Sequence, residues 1–348
     1  MASTWSPSPW VEAQRERVGF ALQVFPVDTA EDPVGRMLSA GRLAERLGFD
    51  AFFFSDHPAW GPECWVHMAH LAATTERIWL GTGVVCALYR HPVMTARLAA
   101  DLDNLSGGRL ILGLGCGWAS DEFASLGLPF PSVASRQAAL EEAIVIMRGV
   151  WGEEPFTFQG EHFQTTDTQV TPQPHQRPGP PLLIAGGGDR VTLRQVAQFG
   201  DACQLGSFGL ISGSPSSDDI RRKLAVLRQH CDELGRPYET VLRTHFTGWL
   251  LLAEDASHLD AKVQRAFPEG IEGRFSGPWA GYAMAATVER AVTFYRELVA
   301  AGIQYFVVTT LDAADEETIY LLAERVMPAV RGAYEGIGRL SETTKVID

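Results

Sequence analysis

No stretch of this chain is apolar over the roughly 18 residues that a membrane-spanning helix needs. Residues 1–17 are polar, with Ser, Pro and Trp but no apolar core, so no secretory signal peptide is expected. Cysteine is scarce. The five residues (Cys64, Cys86, Cys116, Cys203, Cys231) are odd in number and far apart, with no Cys-x-x-Cys pair. That pattern excludes a disulfide scaffold and a thiolate metal site, and it fits a reducing, cytoplasmic setting. Basic residues are outnumbered, 29 Lys and Arg against 42 Asp and Glu, for a net charge of −13. So acidic a surface argues against nucleic acid or an anionic membrane as partner. There is no internal repeat, no low-complexity tract and no linker.

What is present is a rhythm. Short apolar runs at residues 18–24, 51–54, 78–85, 109–115, 182–185, 202–205, 242–252 and 305–310 read as strands. Helical stripes follow most of them, for example Met37, Ala40, Gly41, Ala44 and Leu47 closed by Gly48, or Ile220, Leu224, Leu227, Cys231 and Leu234. Strand-then-helix alternation gives a parallel sheet, because parallel neighbours need crossovers. Eight units without a composition break favour closure into a (β/α)8 TIM barrel over an open doubly wound sheet. The chain of 348 residues exceeds the usual barrel of about 250. Irregular stretches supply the difference: 153–181 after strand four, 206–217 after strand six and 256–283 after strand seven. The expectation is one barrel domain over 18–334, with poorly ordered tails at 1–17 and 335–348. Residues 119–130 read as a loop.

In such a barrel the active site forms at the C-terminal strand ends. Four ends carry unusual residues: Asp56-His57 after strand two, Gly83-Val84 after three, Gly115-Cys116-Gly117-Trp118 after four, and Ala185-Gly186-Gly187-Gly188 after five. Histidine exchanges protons near neutral pH, although an isolated Asp-His pair is more often a loop histidine capped by its neighbour. The alternating glycines 113, 115 and 117 are not a dinucleotide fingerprint, since the acids about 20 residues on, Glu141 and Glu142, fall inside a helix. The triple glycine sits between a strand and a helix, where bare amides suit a phosphate. Glu63, His67 and His70 share a helix face and could ligate a metal, but such residues are more often solvated. The end of strand one, Gln23-Val24-Phe25-Pro26, lacks the His-x-His of barrel metallohydrolases.

Jointly these ends resemble the luciferase-like family of flavin- and deazaflavin-dependent oxidoreductases. The likeness runs over roughly residues 18–330. It rests on Leu47-Gly48-Phe49-Asp50, Ser55-Asp56-His57, Thr75-x-Arg77-Ile78-x-Leu80-Gly81-Thr82, Arg90-His91-Pro92, Leu102-Asp103-x-Leu105-Ser106-Gly107-Gly108-Arg109, Gly113-x-Gly115-x-Gly117-Trp118-x-x-x-Glu122 and Pro180-Pro181-Leu182-Leu183-Ile184-x-Gly186-Gly187. The Ser-Asp-His triplet is most similar to the subgroup using coenzyme F420, a deazaflavin. The resemblance implies that His57 moves a proton beside the redox carbon and that Asp56 contacts the ring and orients His57. It implies that Gly83-Val84, often a non-proline cis peptide, backs the ring. Gly115, Cys116 and Gly117 would lie near the ring or ribityl, and Ala185, Gly186, Gly187 and Gly188 would seat the phosphate. A sugar-phosphate dehydrogenase of the subgroup has a catalytic Glu where Trp118 stands here, and the next acids are Asp121 and Glu122. Trp118 and Trp60, with Trp249 and Trp279, suggest a flat apolar substrate pocket beside Glu122.

The expected function is hydride transfer between F420 and a small organic substrate. The alternative is an FMN-dependent monooxygenase using reduced flavin and O2, with a separate reductase supplying the cofactor. A flavin-binding barrel without turnover and a metal-dependent barrel hydrolase rank lower. The resemblance also implies a homodimer.

Overall fold

The computed structural model describes residues 5–24, 32–206, 216–271, 283–310 and 315–332. Eight parallel strands form its centre: β1 (Gly19–Val24), β2 (Ala51–Phe54), β3 (Trp79–Thr82), β4 (Leu110–Gly115), β5 (Leu182–Ala185), β6 (Ala202–Gly206), β7 (Leu242–Ala253) and β8 (Tyr305–Thr310). Each pairs with its neighbours in chain order, and β8 pairs back onto β1 in full register, from Gly19 opposite Tyr305 to Val24 opposite Thr310. The ring is therefore closed, and it is the (β/α)8 barrel that the alternation predicts. Since all eight strands run the same way, all their C-terminal ends open onto one rim.

The strands are apolar on both sides because each side meets a different core. Inward positions, among them Ala21, Ala51, Phe53, Ile111, Leu183, Ala202, Phe246, Tyr305 and Val307, fill the lumen. Outward positions such as Phe20, Leu22, Phe52, Leu112, Ile184 and Val308 pack under the helical layer. Complete burial of one such side chain contributes about 1.5–3 kcal/mol. The helices have local stop and start signals. Helix Pro33–Arg46 begins on proline with the Asp32 carboxylate accepting from Gly35 N–H. It ends where Gly48 takes φ +79°, a conformation that glycine adopts freely. Among the described residues no helix is long and apolar enough to cross a membrane.

Three expectations need correction. Residues 5–17 are not a loose tail. A short helix, Pro9–Glu12, drives Trp10 to complete burial against Tyr305 at the start of β8, with ring centroids 5.4 Å apart. Ion pairs from Arg17 and Arg331 to Asp50 tie the same end together. Two large aromatic rings in a lumen core outweigh the polar composition of the segment. Residues 119–130 are not all loop either. Ser120–Ser125 is a helix whose acidic first turn suits its positive end, and whose Phe123 is buried. The region 256–283 contains helix Ala256–Ala266, capped by Asp255, and opens onto strand Ala283–Thr287, which extends the far end of β7. The helix after β5 runs over Thr192–Phe199. In the stretch after strand four, Phe156–Gln159 and Gln164–Thr168 form an antiparallel pair. Residues 207–215 and 335–348, and Trp279, lie outside the described residues.

Candidate active site

His57 follows β2 directly, and its ring is held from three sides. Nδ1 donates to Glu122 Oε2 at 2.7 Å. Trp60 stacks on the imidazole with centroids 4.9 Å apart and planes 18° from parallel, and Trp118 meets it edge-on at 5.8 Å. Glu122 is fully buried, on the helix Ser120–Ser125. It also accepts from the Tyr89 hydroxyl at 2.6 Å and from Ala59 N–H at 3.2 Å. Burial alone would raise its pKa, but the hydrogen bonds from His57 and Tyr89 outweigh that and hold the carboxyl below its usual value. Glu122 is thus ionised at neutral pH. An ionised acceptor sets the imidazole tautomer, with the hydrogen on Nδ1.

Asp56 does something else. Its carboxylate makes a two-pronged pair with Arg90, at 2.7 and 2.9 Å, and accepts from Cys86 N–H at 3.3 Å. Arg90 reaches on to Glu63 at 3.0 Å. The sequence-based expectation that Asp56 orients His57 is therefore corrected: both Asp56 oxygens are engaged by Arg90, and Glu122 takes that position. Asp56, Glu63 and Cys64 place ligand atoms within 4.8 Å of one another. The guanidinium of Arg90 binds both carboxylates there, and the Cys64 thiol is pushed well up by burial, so the donor set does not suit a cation. The other metal candidates are also engaged: His67 Nδ1 with the carbonyl of Glu63 at 2.6 Å, and His70 with Arg42 at 3.5 Å.

The next strand ends are built from small residues at close approach. The Gly83–Val84 peptide is cis. A Cβ on Gly113 would lie 1.9 Å from the Thr82 carbonyl, and one on Gly115 would lie 2.9 Å from Val84 Cγ2, so no side chain fits between β3 and β4 here. Gly117 has φ +79°, and a Cβ there would lie 2.7 Å from Cys86 Sγ. Cys116 turns away from the lumen, accepts from Gln137 Nε2 at 3.3 Å, and has its thiol pKa raised by burial.

After β5, Gly186 adopts φ +124°, and Gly186 and Gly188 are exposed. Two cations from helix Ser217–Glu233 stand beside them. Lys223 Nζ donates to the Gly187 carbonyl and pairs with Asp189 at 3.2 Å, and Arg222 pairs with the other Asp189 oxygen. Those ion pairs hold the Asp189 carboxyl below its usual value. Two cations to one carboxylate leave net positive charge beside bare amides, a donor set that fits a phosphate. The small-residue cradle between β3 and β4 likewise fits the approach of a flat ring.

Sequence reasoning singled out His57, Trp60, Trp118 and Glu122, and these come together. It missed Tyr89, Lys223 and Arg222, and cited Arg90 only within a motif. Arg221-Arg222-Lys223, shortly after a Gly/Ser-rich stretch of sequence, was the available signal for an anion site.

The sequence model of the family described as luciferase-like monooxygenase matches residues 17–306. An F420-dependent glucose-6-phosphate dehydrogenase of Intrasporangium calvum is 30% identical over 326 residues, 83% of this chain and 92% of its own length. A 4-hydroxyprotoasukamycin monooxygenase of Streptomyces nodosus subsp. asukaensis is 28% identical over 364 residues, covering 92% and 95% of the two chains. Among solved structures, an F420-dependent secondary alcohol dehydrogenase in complex with an F420-acetone adduct shares the fold. Its TM-score is 0.75 at 20% identity, over 90% of this chain and 99% of that one. With most of its length matched by the family model and the barrel in place, the chain belongs to the luciferase-like monooxygenase family.

Proposed function

We propose that this chain is an oxidoreductase that binds coenzyme F420 at the barrel mouth and passes hydride between that deazaflavin and a small organic substrate. One observation carries the reading. A histidine anchored at Nδ1 by a buried, ionised glutamate opens onto the same rim as the cis Gly83–Val84 peptide and the Lys223-flanked glycine run. The F420-dependent relative and the F420-bound structural neighbour support it. When bound, the deazaflavin supplies the hydride chemistry.

The residues of the chain supply the rest. Gly83 and Val84 would back the ring, Gly115 and Gly117 would allow its close approach, and Ala185 to Gly188 with Lys223 and Arg222 would hold the phosphate. His57 Nε2 holds or releases the proton of a substrate hydroxyl or carbonyl, while Glu122 stabilises the imidazolium that results. Tyr89 and Ala59 N–H keep Glu122 in place. Trp60 and Trp118 form the wall beside His57 and favour a flat, apolar substrate. Trp118 stands where a sugar-phosphate dehydrogenase of the subgroup has its catalytic Glu, and Glu122 is spent on His57, which speaks against a sugar phosphate. Five free thiols support a reducing, cytoplasmic setting. The reading extends to a homodimer, which size-exclusion chromatography checks.

Fluorescence titration of the purified protein with F420 and with FMN tests the proposal. Tighter binding of F420 is the expected result. Tighter binding of FMN overturns it in favour of the monooxygenase, for which a separate reductase would supply reduced flavin.

A further inference from the structure

The lumen changes character at its mouth. Below, the inward positions are apolar. At the top, alternation along the strands turns Gln23 on β1, Gln204 on β6 and Thr309 on β8 inward. They are 4%, 4% and 1% exposed. Yet Gln23 Oε1, Gln204 Nε2 and Thr309 Oγ1 have no hydrogen-bond partner among the described residues. Buried amides and hydroxyls are nearly always paired, because leaving them unpaired is destabilising.

These three groups border the site. A Cβ on Gly83 would stand 2.4 Å from Gln23 Oε1, so this carboxamide lies directly against the cis peptide. Gln23 and Thr309 are register partners on adjacent strands, and Gln204 is the register partner of Ala185. Orphan atoms at the base of the barrel differ. Gln14 Oε1 and Tyr305 meet around Gly19, and Trp10 closes over Tyr305, within the plug.

We infer that Gln23, Gln204 and Thr309 bind the polar edge of a flat heterocycle seated on the mouth. An amide acceptor, an amide donor and a hydroxyl suit a ring edge that carries a carbonyl next to an N–H, as in a lactam or uracil-like ring. The inference rests on the reading that the mouth holds a deazaflavin or flavin, and it names the residues that select the ring.

The test uses the full chain as wild type, Gln23→Leu, Gln23→Asn and Thr309→Val. Each is titrated with F420 and with FMN, and the absorption band of the bound cofactor and the cofactor-free Tm are recorded. Gln23→Leu is expected to weaken binding of the preferred cofactor about tenfold, the scale of one lost hydrogen bond, and to shift its absorption band. Its cofactor-free Tm stays level or rises, because an unpaired polar group has left the core. Gln23→Asn, which keeps the carboxamide on a shorter stem, falls between, and Thr309→Val weakens binding by less than Gln23→Leu. Wild-type affinity and an unshifted band in Gln23→Leu overturn the inference while leaving the parent reading intact. Should Gln23→Leu fail to fold, the same comparison is read from Gln23→Asn and Thr309→Val. A wild type that binds neither cofactor overturns the parent reading, and this one with it.

Discussion

The two ends of the barrel lumen are built on opposite plans. The base is stopped by bulk: Trp10 and Tyr305, both 0% exposed, pack edge to face behind a clamp in which Arg17 and Arg331 grip Asp50. Around β3 and β4 the mouth is stripped of bulk: Gly83, Gly113 and Gly115 leave no room for a side chain, and three buried polar atoms of the rim, Gln23 Oε1, Gln204 Nε2 and Thr309 Oγ1, lack partners among the described residues. One end is arranged for packing and the other for something that must come and go. The mouth has its own structural anchor as well. Asp56 lies next to His57 in sequence, yet it is locked to Arg90 while His57 is held by Glu122, so on the proposed reading neighbouring residues divide fixing the rim from moving the proton.

If that division is right, damage at the base should cost stability and spare binding, and damage at the mouth should do the reverse. Trp10→Ala should give the largest stability loss, about 3–5 kcal/mol as for other buried aromatics, read as a fall in the urea midpoint. F420 affinity should not change. A Trp10→Ala protein as stable as wild type would show that the plug is ornamental. His57→Ala should cut turnover about 10²–10⁴-fold, the usual worth of a positioned acid or base, with Tm and cofactor affinity near wild type. Steady-state kinetics beside a binding titration separates the two. Loss of binding without loss of turnover per bound cofactor would remove the proton role.

Glu122→Gln tests the positioning more finely. The amide cannot stabilise an imidazolium, and turnover should fall about 10–100-fold, equivalent to about 1–3 kcal/mol for a hydrogen bond to a charged group. Cofactor affinity should hold. The pH dependence has a definite sign. The folded carboxyl lies below its ordinary value of 4.5, so its contribution to stability is complete above that value and is lost as pH falls through the lower folded one. The Tm gap between wild type and Glu122→Gln should therefore shrink as pH falls below about 4.5. A gap that still widens as pH falls through that value would mean that Glu122 is not held ionised.

Strands such as Ala51–Phe54 and Tyr305–Thr310 were legible to the residue, because a strand facing two apolar layers must be a short continuous apolar run. Helix Ser120–Ser125 was not. At six residues it has no stripe, and it is held by Phe123 packing and by a turn at Gly127 with φ +68°. Trp10 was misread for a similar reason: composition reports the average of a segment, whereas one ring in a lumen decides its place. In the site, His57 and Glu122 were legible as residues worth watching, but their pairing spans 65 positions and no local pattern announces it. The same limit hid Lys223, which comes to the glycine run from the helix after the next strand.

Lys223 carries the smallest expected effect and the sharpest discrimination. It donates to the Gly187 carbonyl and shares Asp189 with Arg222. Its side chain is 17% exposed, against 53% for Arg222, so its charge is the less screened of the two. Lys223→Ala should raise the F420 Kd about tenfold, near 1.4 kcal/mol. Arg222→Ala should raise it less, and raising salt should weaken wild type more than Lys223→Ala. Turnover at saturating cofactor should be unchanged, since both side chains are engaged at the glycine run after β5. A Lys223→Ala protein with unaltered Kd and the salt slope of wild type would leave the glycine run a plain turn, and the phosphate would have to be held elsewhere on the rim.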